Sequence, residues 1–167
     1  MYKATIVVTS LTAWVLAGCG GGSSALCQSI GPGANFLVLS GSVDNVAAVA
    51  DGNLGSFATM NAVGPGSYVS SKGNSFNAGS VAGAFITLPS GSTAADITVA
   101  TFTTQEQATI ESATGPTLTV TPTAGDPAAQ FVSFVTTLPF DGVRVAINTA
   151  GGTEVLVYEI CGNGAAR

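Results

Sequence analysis

The sequence contains no histidine, and charged residues make up only 8% of its 167 residues. Histidine is the usual general base in enzymes and activates many serine and cysteine nucleophiles, so catalysis of this kind is not expected. The four lysine and arginine residues are too few for the clustered phosphate contacts of a nucleic-acid-binding protein, and the formal net charge is −5. The composition therefore argues against a nucleic-acid partner.

Two pairs of carboxylates are the remaining catalytic candidates, because glycosidases use such pairs. They are Glu106 with Glu111 and Asp126 with Asp141. Glu106 lies among polar residues that are typical of the exposed end of a hairpin, while Asp126 precedes a proline and Asp141 precedes a glycine, as turn residues often do. Neither pair comes with a placed nucleophile and base, and we predict that the protein is not an enzyme.

The abundant residues favour a β-sheet protein. Hydrophobic residues make up 46% of the chain, and 22 glycines supply tight turns. Val143, Val145 and Ile147 alternate with polar or small residues, as in a half-buried strand, and Leu118 and Val120 alternate with threonines. Further strands are predicted at residues 36–39, 84–88, 96–102, 131–136 and 155–160. Several short strands at this spacing indicate a sandwich or a barrel.

Turn sequences separate these strands, since glycine, proline and asparagine favour turn conformations. One segment has helical spacing instead: Val43, Val46, Ala47 and Ala50 predict at most one short turn of helix before Asp51. The predicted turns are Gly64-Pro65-Gly66, Pro89-Ser90-Gly91, Gly115-Pro116, Gly125-Asp126-Pro127 and Gly151-Gly152.

The N-terminus has the order of features that is typical of an export signal. Met1-Tyr2-Lys3 is positively charged, and the uncharged apolar run over 4–16 is too short to span about 30 Å of hydrocarbon as a helix. The sequence Leu16-Ala17-Gly18-Cys19 resembles the lipobox of bacterial lipoproteins. That resemblance implies a signal peptide over 1–18 and a Cys19 thiol that accepts diacylglycerol. The alternatives are an ordinary signal peptide with an incidental cysteine, or a short buried helix.

A Gly/Ser run over 20–24 follows at once, and residues 19–26 are predicted to form an acylated, flexible tether. The chain is thus expected in the bacterial cell envelope, held by membrane lipid through Cys19. Position 20 is not aspartate, which in a Gram-negative host resembles sorting to the outer membrane.

Two cysteines remain, Cys27 and Cys161, one near each end of the predicted mature domain. Disulfides persist outside the cytoplasm, so we predict that these two pair. A loop of this length gives about 4–5 kcal/mol of stabilisation in the chain-entropy model. The alternative is two buried free thiols.

Three short motifs resemble discoidin-like (coagulation-factor C-type) and galactose-binding-like domains. Residues 50–56 are similar to the family's early loop, Gly142-Val143-Arg144-Val145 to a late strand, and residues 157–162 to the closing strand. The resemblance implies an eight-stranded antiparallel jelly roll over 27–162, with 163–167 as a tail, and many members join their ends by a disulfide. The family's usual tryptophan after the early loop is replaced by Ala58, next to Phe57.

In many relatives the early loop and the glutamate of the last strand hold a structural calcium ion. The resemblance implies carboxylate ligands from Asp51 and Glu159, a hydroxyl from Ser56, and amide or backbone oxygens from Asn53 and its neighbours. Calcium prefers six to eight oxygen ligands, and an unpartnered carboxylate in the apolar strand around Glu159 would be costly. The alternative is that Asp51-Gly52-Asn53 is only a turn.

Relatives often recognise sugars or cell-surface ligands through loops, so the resemblance implies a non-catalytic binding or adhesion module. The aromatic candidates for a ligand site are Tyr68, Phe76 and Phe140. Hydrogen-bonding candidates nearby are Lys72, Asn74 and Asn77. The alternative is a structural envelope lipoprotein that associates with itself or with a partner, because low charge leaves strand edges less protected.

Overall fold

The computed structural model describes residues 28–88, 92–105, 108–123, 126–148 and 154–163. Within these the chain is all-β, as predicted from its composition and alternation. The predicted signal peptide, Cys19, the tether, Cys27 and the C-terminal tail from 164 onward lie outside the described residues, as do the predicted turns at 89–91 and 151–152. The strands are β1 Asn35–Leu37, β2 Ser42–Asp44, β3 Ala58–Asn61, β4 Tyr68–Phe76, β5 Val81–Thr87, β6 Ile97–Phe102, β7 Thr109–Thr114, β8 Thr119–Thr123, β9 Asp126–Val135, β10 Phe140–Ile147 and β11 Glu154–Cys161.

The strands form two antiparallel sheets. The five-stranded sheet has the order β1-β4-β10-β6-β7, and the six-stranded sheet has the order β2-β3-β11-β5-β9-β8. Strands distant in sequence are therefore neighbours: β3 pairs with β11 and β4 pairs with β10. This pairing brings the loop before β3 beside the last strand.

The core lies between the sheets and consists mainly of branched aliphatic side chains. In β10, Val143, Val145 and Ile147 are fully or almost fully buried in it, whereas Arg144 and Ala146 face outward. The predicted alternation in this strand is thus confirmed. Each such buried side chain contributes about 1.5–3 kcal/mol to the free energy of folding.

The predicted turn of helix is present as a 3₁₀ helix over Val46–Ala50, which ends at Asp51. Val43, which we assigned to the same turn, lies instead in β2. The helix buries Ala48 and Val49 against the core and so fixes where the next loop begins.

Four strands were not predicted: β2, β3, β4 and β7. Their sequences contain few apolar residues in clean alternation. In β4 the polar stretch Ser-Ser-Lys-Gly-Asn-Ser is held on one side by pairing of its first residues with β10 and on the other by backbone hydrogen bonds to Ile30 and Gly33. The prediction that Asp126 and Asp141 are turn residues was wrong, because Asp126 begins β9 and Asp141 lies in β10. Pro127 is tolerated there since β5 pairs with β9 only from Ala129 onward.

Candidate functional site

The loop from Asp51 to Ser56 is closed by its own side chains. Asp51 Oδ1 accepts a hydrogen bond from the backbone N–H of Asn53 at 2.9 Å, and Asn53 Oδ1 accepts one from Gly55 at 2.9 Å. Ser56 Oγ lies 2.6 Å from Asp51 Oδ2 and 2.9 Å from the Asn53 carbonyl oxygen. Gly52 has a φ of 72°, a left-handed conformation that favours glycine. The loop is therefore a turn, with oxygen atoms gathered on it.

A β-bulge in β11 decides which way Glu159 points. The register against β5 shifts between Val157 and Glu159, so Tyr158 is the extra residue. Val157 and Ile160 both belong to the core between the sheets, although they are three residues apart. Glu159 therefore lies on the outer face of the six-stranded sheet, opposite Phe85, instead of entering the core.

Glu159 is only 2% exposed, although it lies on an outer face. Its Oε2 accepts a 2.8 Å hydrogen bond from the backbone N–H of Gly52, so the loop covers it. Its other oxygen, Oε1, and the neighbouring Ser29 hydroxyl are both buried, and neither has a hydrogen bond of normal geometry, although the hydroxyl is close enough to act on the Glu159 carboxylate. Burial raises the pKa of Glu159 to about 7; the Ser29 hydroxyl and Gly52 N–H act against this rise, and the nearby charge of Asp51 adds to it.

The four predicted calcium ligands, Asp51, Asn53, Ser56 and Glu159, thus meet around one loop. Among the residues that the structure describes, no three histidine, cysteine, aspartate or glutamate side chains form a metal-binding group. The oxygen set consists instead of two carboxylates, one hydroxyl, one amide and backbone carbonyls. Such a set suits a hard cation such as calcium, and the unpartnered Oε1 of Glu159 is the atom that lacks a partner without it.

Ala58 and Phe57 lie beside the loop and pack in opposite directions. Ala58 is fully buried, and Phe57 turns outward to meet Tyr158 edge to face, with ring centroids 5.5 Å apart. Beneath the loop, Leu54 packs on a small apolar cluster that includes Phe85 and Cys161.

The chain next to Cys27 lies against Cys161. The Gln28 carbonyl accepts a 3.0 Å hydrogen bond from the backbone N–H of Gly162, and Ser29 forms a β-bridge with Cys161. Cys161 is fully buried. The described residues thus bring both ends of the domain together, while the Cys27 to Cys161 disulfide stays a prediction.

Glu111 and Asp141, one carboxylate from each nominated catalytic pair, have other partners. Glu111 accepts hydrogen bonds from the backbone and hydroxyl of Thr137 and from the backbone of Leu138. Burial acts to raise the pKa of Glu111, but these hydrogen bonds lower it overall. Asp141 accepts from the backbone and hydroxyl of Thr104. Asp126 and Asp141 lie in different sheets, and Glu106 lies outside the described residues.

Two of the aromatic ligand candidates belong to the core. Phe76 and Phe140 are 6% and 2% exposed and stack on each other with ring centroids 5.3 Å apart. They close the end of the sandwich and do not offer a sugar-binding plate. Asn74 and Asn77 are exposed, whereas Lys72 is half-buried.

Tyr68 is half-buried, and the guanidinium carbon of Arg144 lies over its ring, 4.0 Å from the centroid of the Tyr68 ring. Arg144 was predicted only as part of the motif Gly142-Val143-Arg144-Val145 and not as a binding residue. The period-two pattern of β10 already predicts that the Arg144 side chain lies on the outer face. That pattern is the sequence feature from which Arg144 could have been identified.

Comparison with protein-family models, curated proteins and solved structures gave no match. In the part of the chain that the structure describes, no helix is both long enough and apolar enough to span a bilayer.

Proposed function

We propose that this chain is an exported bacterial lipoprotein, lipid-anchored at Cys19, whose β-domain is a non-catalytic binding or adhesion module for glycans or other cell-surface ligands. The observation that carries this proposal is the contact of the loop Asp51–Ser56 with Glu159, since it is the contact that the resemblance to discoidin-like and galactose-binding-like domains implies. That family is known for binding modules, and two of the four carboxylates nominated for catalysis, Glu111 and Asp141, accept structural hydrogen bonds.

The jelly-roll interpretation is supported by the order in which the strands pair. β3 pairs with β11, β4 with β10, β5 with β9, and β6 with β7, as in one long two-stranded ribbon. The pairs β5 with β11 and β6 with β10 join successive turns of this ribbon within each sheet. We infer from this order that the ribbon wraps as an eight-stranded jelly roll, with β1, β2 and β8 added at edges.

A structural calcium ion at the loop is part of the proposal. Asp51, Glu159, Ser56 and Asn53 would hold it through carboxylate, hydroxyl and amide or backbone oxygens, and the ion would supply charge neutralisation and a fixed loop. The buried and unpartnered Oε1 of Glu159 favours this proposal over a simple turn, because leaving a carboxylate oxygen unsatisfied is costly.

The binding function is tested by probing a glycan array and insoluble cell-wall polysaccharides with the purified protein in calcium. We expect retention on at least one carbohydrate class and loss of retention after heat denaturation. No retention on any glycan, together with no binding to intact cells, would remove the binding function.

The alternative function, self-association as an envelope scaffold, is favoured by one observation. Phe36 and Leu37 in the edge strand β1 are each 45% exposed, and Leu39 beyond it is 64% exposed. Exposed apolar residues on a strand edge favour pairing with another chain. Sedimentation across a range of protein concentrations, without any ligand, distinguishes the two: mass that rises with concentration and falls in Leu39→Ser favours the scaffold.

A further inference from the structure

An aromatic and cationic row runs diagonally across the outer face of the five-stranded sheet. The guanidinium carbon of Arg144 in β10 lies 4.0 Å from the ring centroid of Tyr68 in β4 and 5.2 Å from that of Phe102 in β6. The residues paired directly with Arg144 are Ser70 and Ala100, which are small and nearly buried. The arginine side chain therefore lies flat over them, held between two rings.

The guanidinium of Arg144 has unused hydrogen-bonding capacity. It forms no hydrogen bond or ion pair with any described residue; its Nε is buried and out of reach of a ligand, so its two Nη groups are the accessible donors. A guanidinium carries five donors in a planar fork that matches a carboxylate. Fixed by Tyr68 and Phe102, it would lose little conformational entropy on binding an anion.

The charge of this face is opposite to that of the whole protein. Lys72 and Arg144, the two basic residues among those described, both face outward from this sheet, because Lys72 pairs with Gly142 in the same register. One carboxylate, Asp141, lies at the bulge beside Gly142, where it accepts hydrogen bonds from the backbone and hydroxyl of Thr104. The other outward positions in these rows carry no carboxylate, which leaves the face with a net positive charge; they are Asn35, Leu37, Thr98, Ala146, Ser112 and Thr114. The formal net charge of the chain is −5, so this positive face is a local exception.

We propose that the outer face of the five-stranded sheet binds an acidic polysaccharide. A sugar carboxylate would bind the fork of Arg144, Lys72 would add attraction, and sugar rings would lie against Tyr68 and the exposed Leu37 beside it. This inference rests on the proposed binding function and names its ligand class and its site.

The surroundings favour a polysaccharide over an anionic membrane. Recognition of an anionic bilayer usually involves a cluster of about four or more basic residues, and this face has two. Five strands spaced about 4.8 Å apart give a face about 19 Å wide, which accommodates several sugar residues in a row. A sugar ring with an acid group has an apolar side and a carboxylate. The aromatic and aliphatic surface suits the apolar side, and the fixed arginine suits the carboxylate.

The test compares two polymers with the same backbone, polygalacturonate and its fully methyl-esterified form, in calorimetric titrations with the full-length protein. We expect binding to polygalacturonate alone, weakened by raising NaCl from about 50 to about 300 mM. Arg144→Gln should weaken it about tenfold or more, the loss expected for a charge-assisted hydrogen bond.

A matched pair of variants keeps the test valid if Arg144→Gln disturbs folding. Ser112→Glu puts a carboxylate on the proposed face, in the row of Ala100 and Arg144 and two strands away from the arginine, while Thr119→Glu puts one on the exposed edge strand of the other sheet. We expect Ser112→Glu to weaken binding and Thr119→Glu to leave it unchanged.

Four results would overturn the inference. Equal binding of both polymers, or equal effects of the two glutamate variants, would show that the ligand or the face is wrong while leaving the proposed binding function intact. Binding to phosphatidylglycerol vesicles but not to polygalacturonate would assign the face to lipid instead. Absence of binding to any glycan would remove the inference, and absence of binding to intact cells as well would remove the proposed function with it.

Discussion

The backbone N–H of Gly52 donates a 2.8 Å hydrogen bond to Oε2 of Glu159, across 107 residues of sequence. This contact joins the loop before β3 to the last strand and buries a carboxylate that would otherwise be open to solvent. Because the second carboxylate oxygen has no partner, the contact leaves room for a further interaction. The first two predictions follow from it.

Chelation of calcium should destabilise the protein. A ligand present at about 100 times its dissociation constant adds about 2.7 kcal/mol to the free energy of unfolding, which for a domain of this size is a fall in Tm of about 5–10 °C on adding EDTA. Glu159→Gln should abolish the difference between calcium and EDTA. Asp44→Asn is the control, because it removes an exposed carboxylate that accepts a hydrogen bond from Asn61. This variant should keep the difference in Tm between calcium and EDTA. An identical Tm in calcium and EDTA for the wild type would remove the ion from the proposal.

In EDTA, stability should fall as the pH rises toward neutrality. The folded pKa of Glu159, about 7, lies above its ordinary value of 4.5, so the folded state binds more protons in between. The added stability is fully present below about pH 4.5 and is lost as the pH rises through 7, up to about 3 kcal/mol in all. Urea titrations at pH 5 and pH 8 measure the loss.

The effect of Glu159 on the pH dependence can be separated from that of other carboxylates. Glu159→Gln should remove much of the loss between pH 5 and pH 8. Glu111→Gln is the control with the opposite sign, because the pKa of Glu111 is lowered and its contribution is lost as the pH falls. A pH profile that is the same in Glu159→Gln and wild type would contradict this account.

Gly142→Ala should destabilise the five-stranded sheet. A Cβ at this position would lie 2.3 Å from the Phe102 ring, which rests over the glycine. We expect a loss of about 1–3 kcal/mol, as for other overpacked sites, measured by urea unfolding. Phe102→Leu in the same chain should recover part of the loss, and a purely additive double mutant would show that the ring is not the cause.

The sequence predicted the all-β fold class and which residues lie around the loop at Asp51. It predicted less well how the strands pair and which way the side chains at the loop point. The alternation in β10 and the apolar run of β11 identify central strands, because burial decides which residue types occupy each face of these two strands. β4 escaped prediction since its polar residues become strand only through pairing with β10 and through backbone hydrogen bonds to Ile30 and Gly33. The bulge at Tyr158 also gave no signal, yet it decides whether Glu159 points into the core or toward the loop. Both features depend on pairing between strands that are distant in sequence, and the local residue pattern does not contain this information.

Cys19→Ala should leave the exported chain as an uncleaved precursor without acyl groups. If the lipobox resemblance is correct, cleavage depends on prior modification of this thiol, so the variant keeps residues 1–18. Mass spectrometry of membrane fractions from the native host checks both outcomes, and Cys27→Ser serves as the control that should still be cleaved and acylated. A wild-type chain that is intact and unlipidated would contradict the anchor.

Cys27→Ser and Cys161→Ser should each lower the free energy of unfolding by about as much as the double variant does, up to about 4–5 kcal/mol. The physical reason is the same for both: one covalent bond would hold together ends that Gln28 and Gly162 already bring within one hydrogen bond. Without the bond, the unfolded chain gains conformational freedom, whereas the folded contacts barely change. Non-reducing mass spectrometry should give a mass about two hydrogens lower than after reduction, the mass difference of one disulfide. Two thiols that alkylate in the unreduced, denatured protein, or single variants whose losses add instead of coinciding, would contradict the pairing.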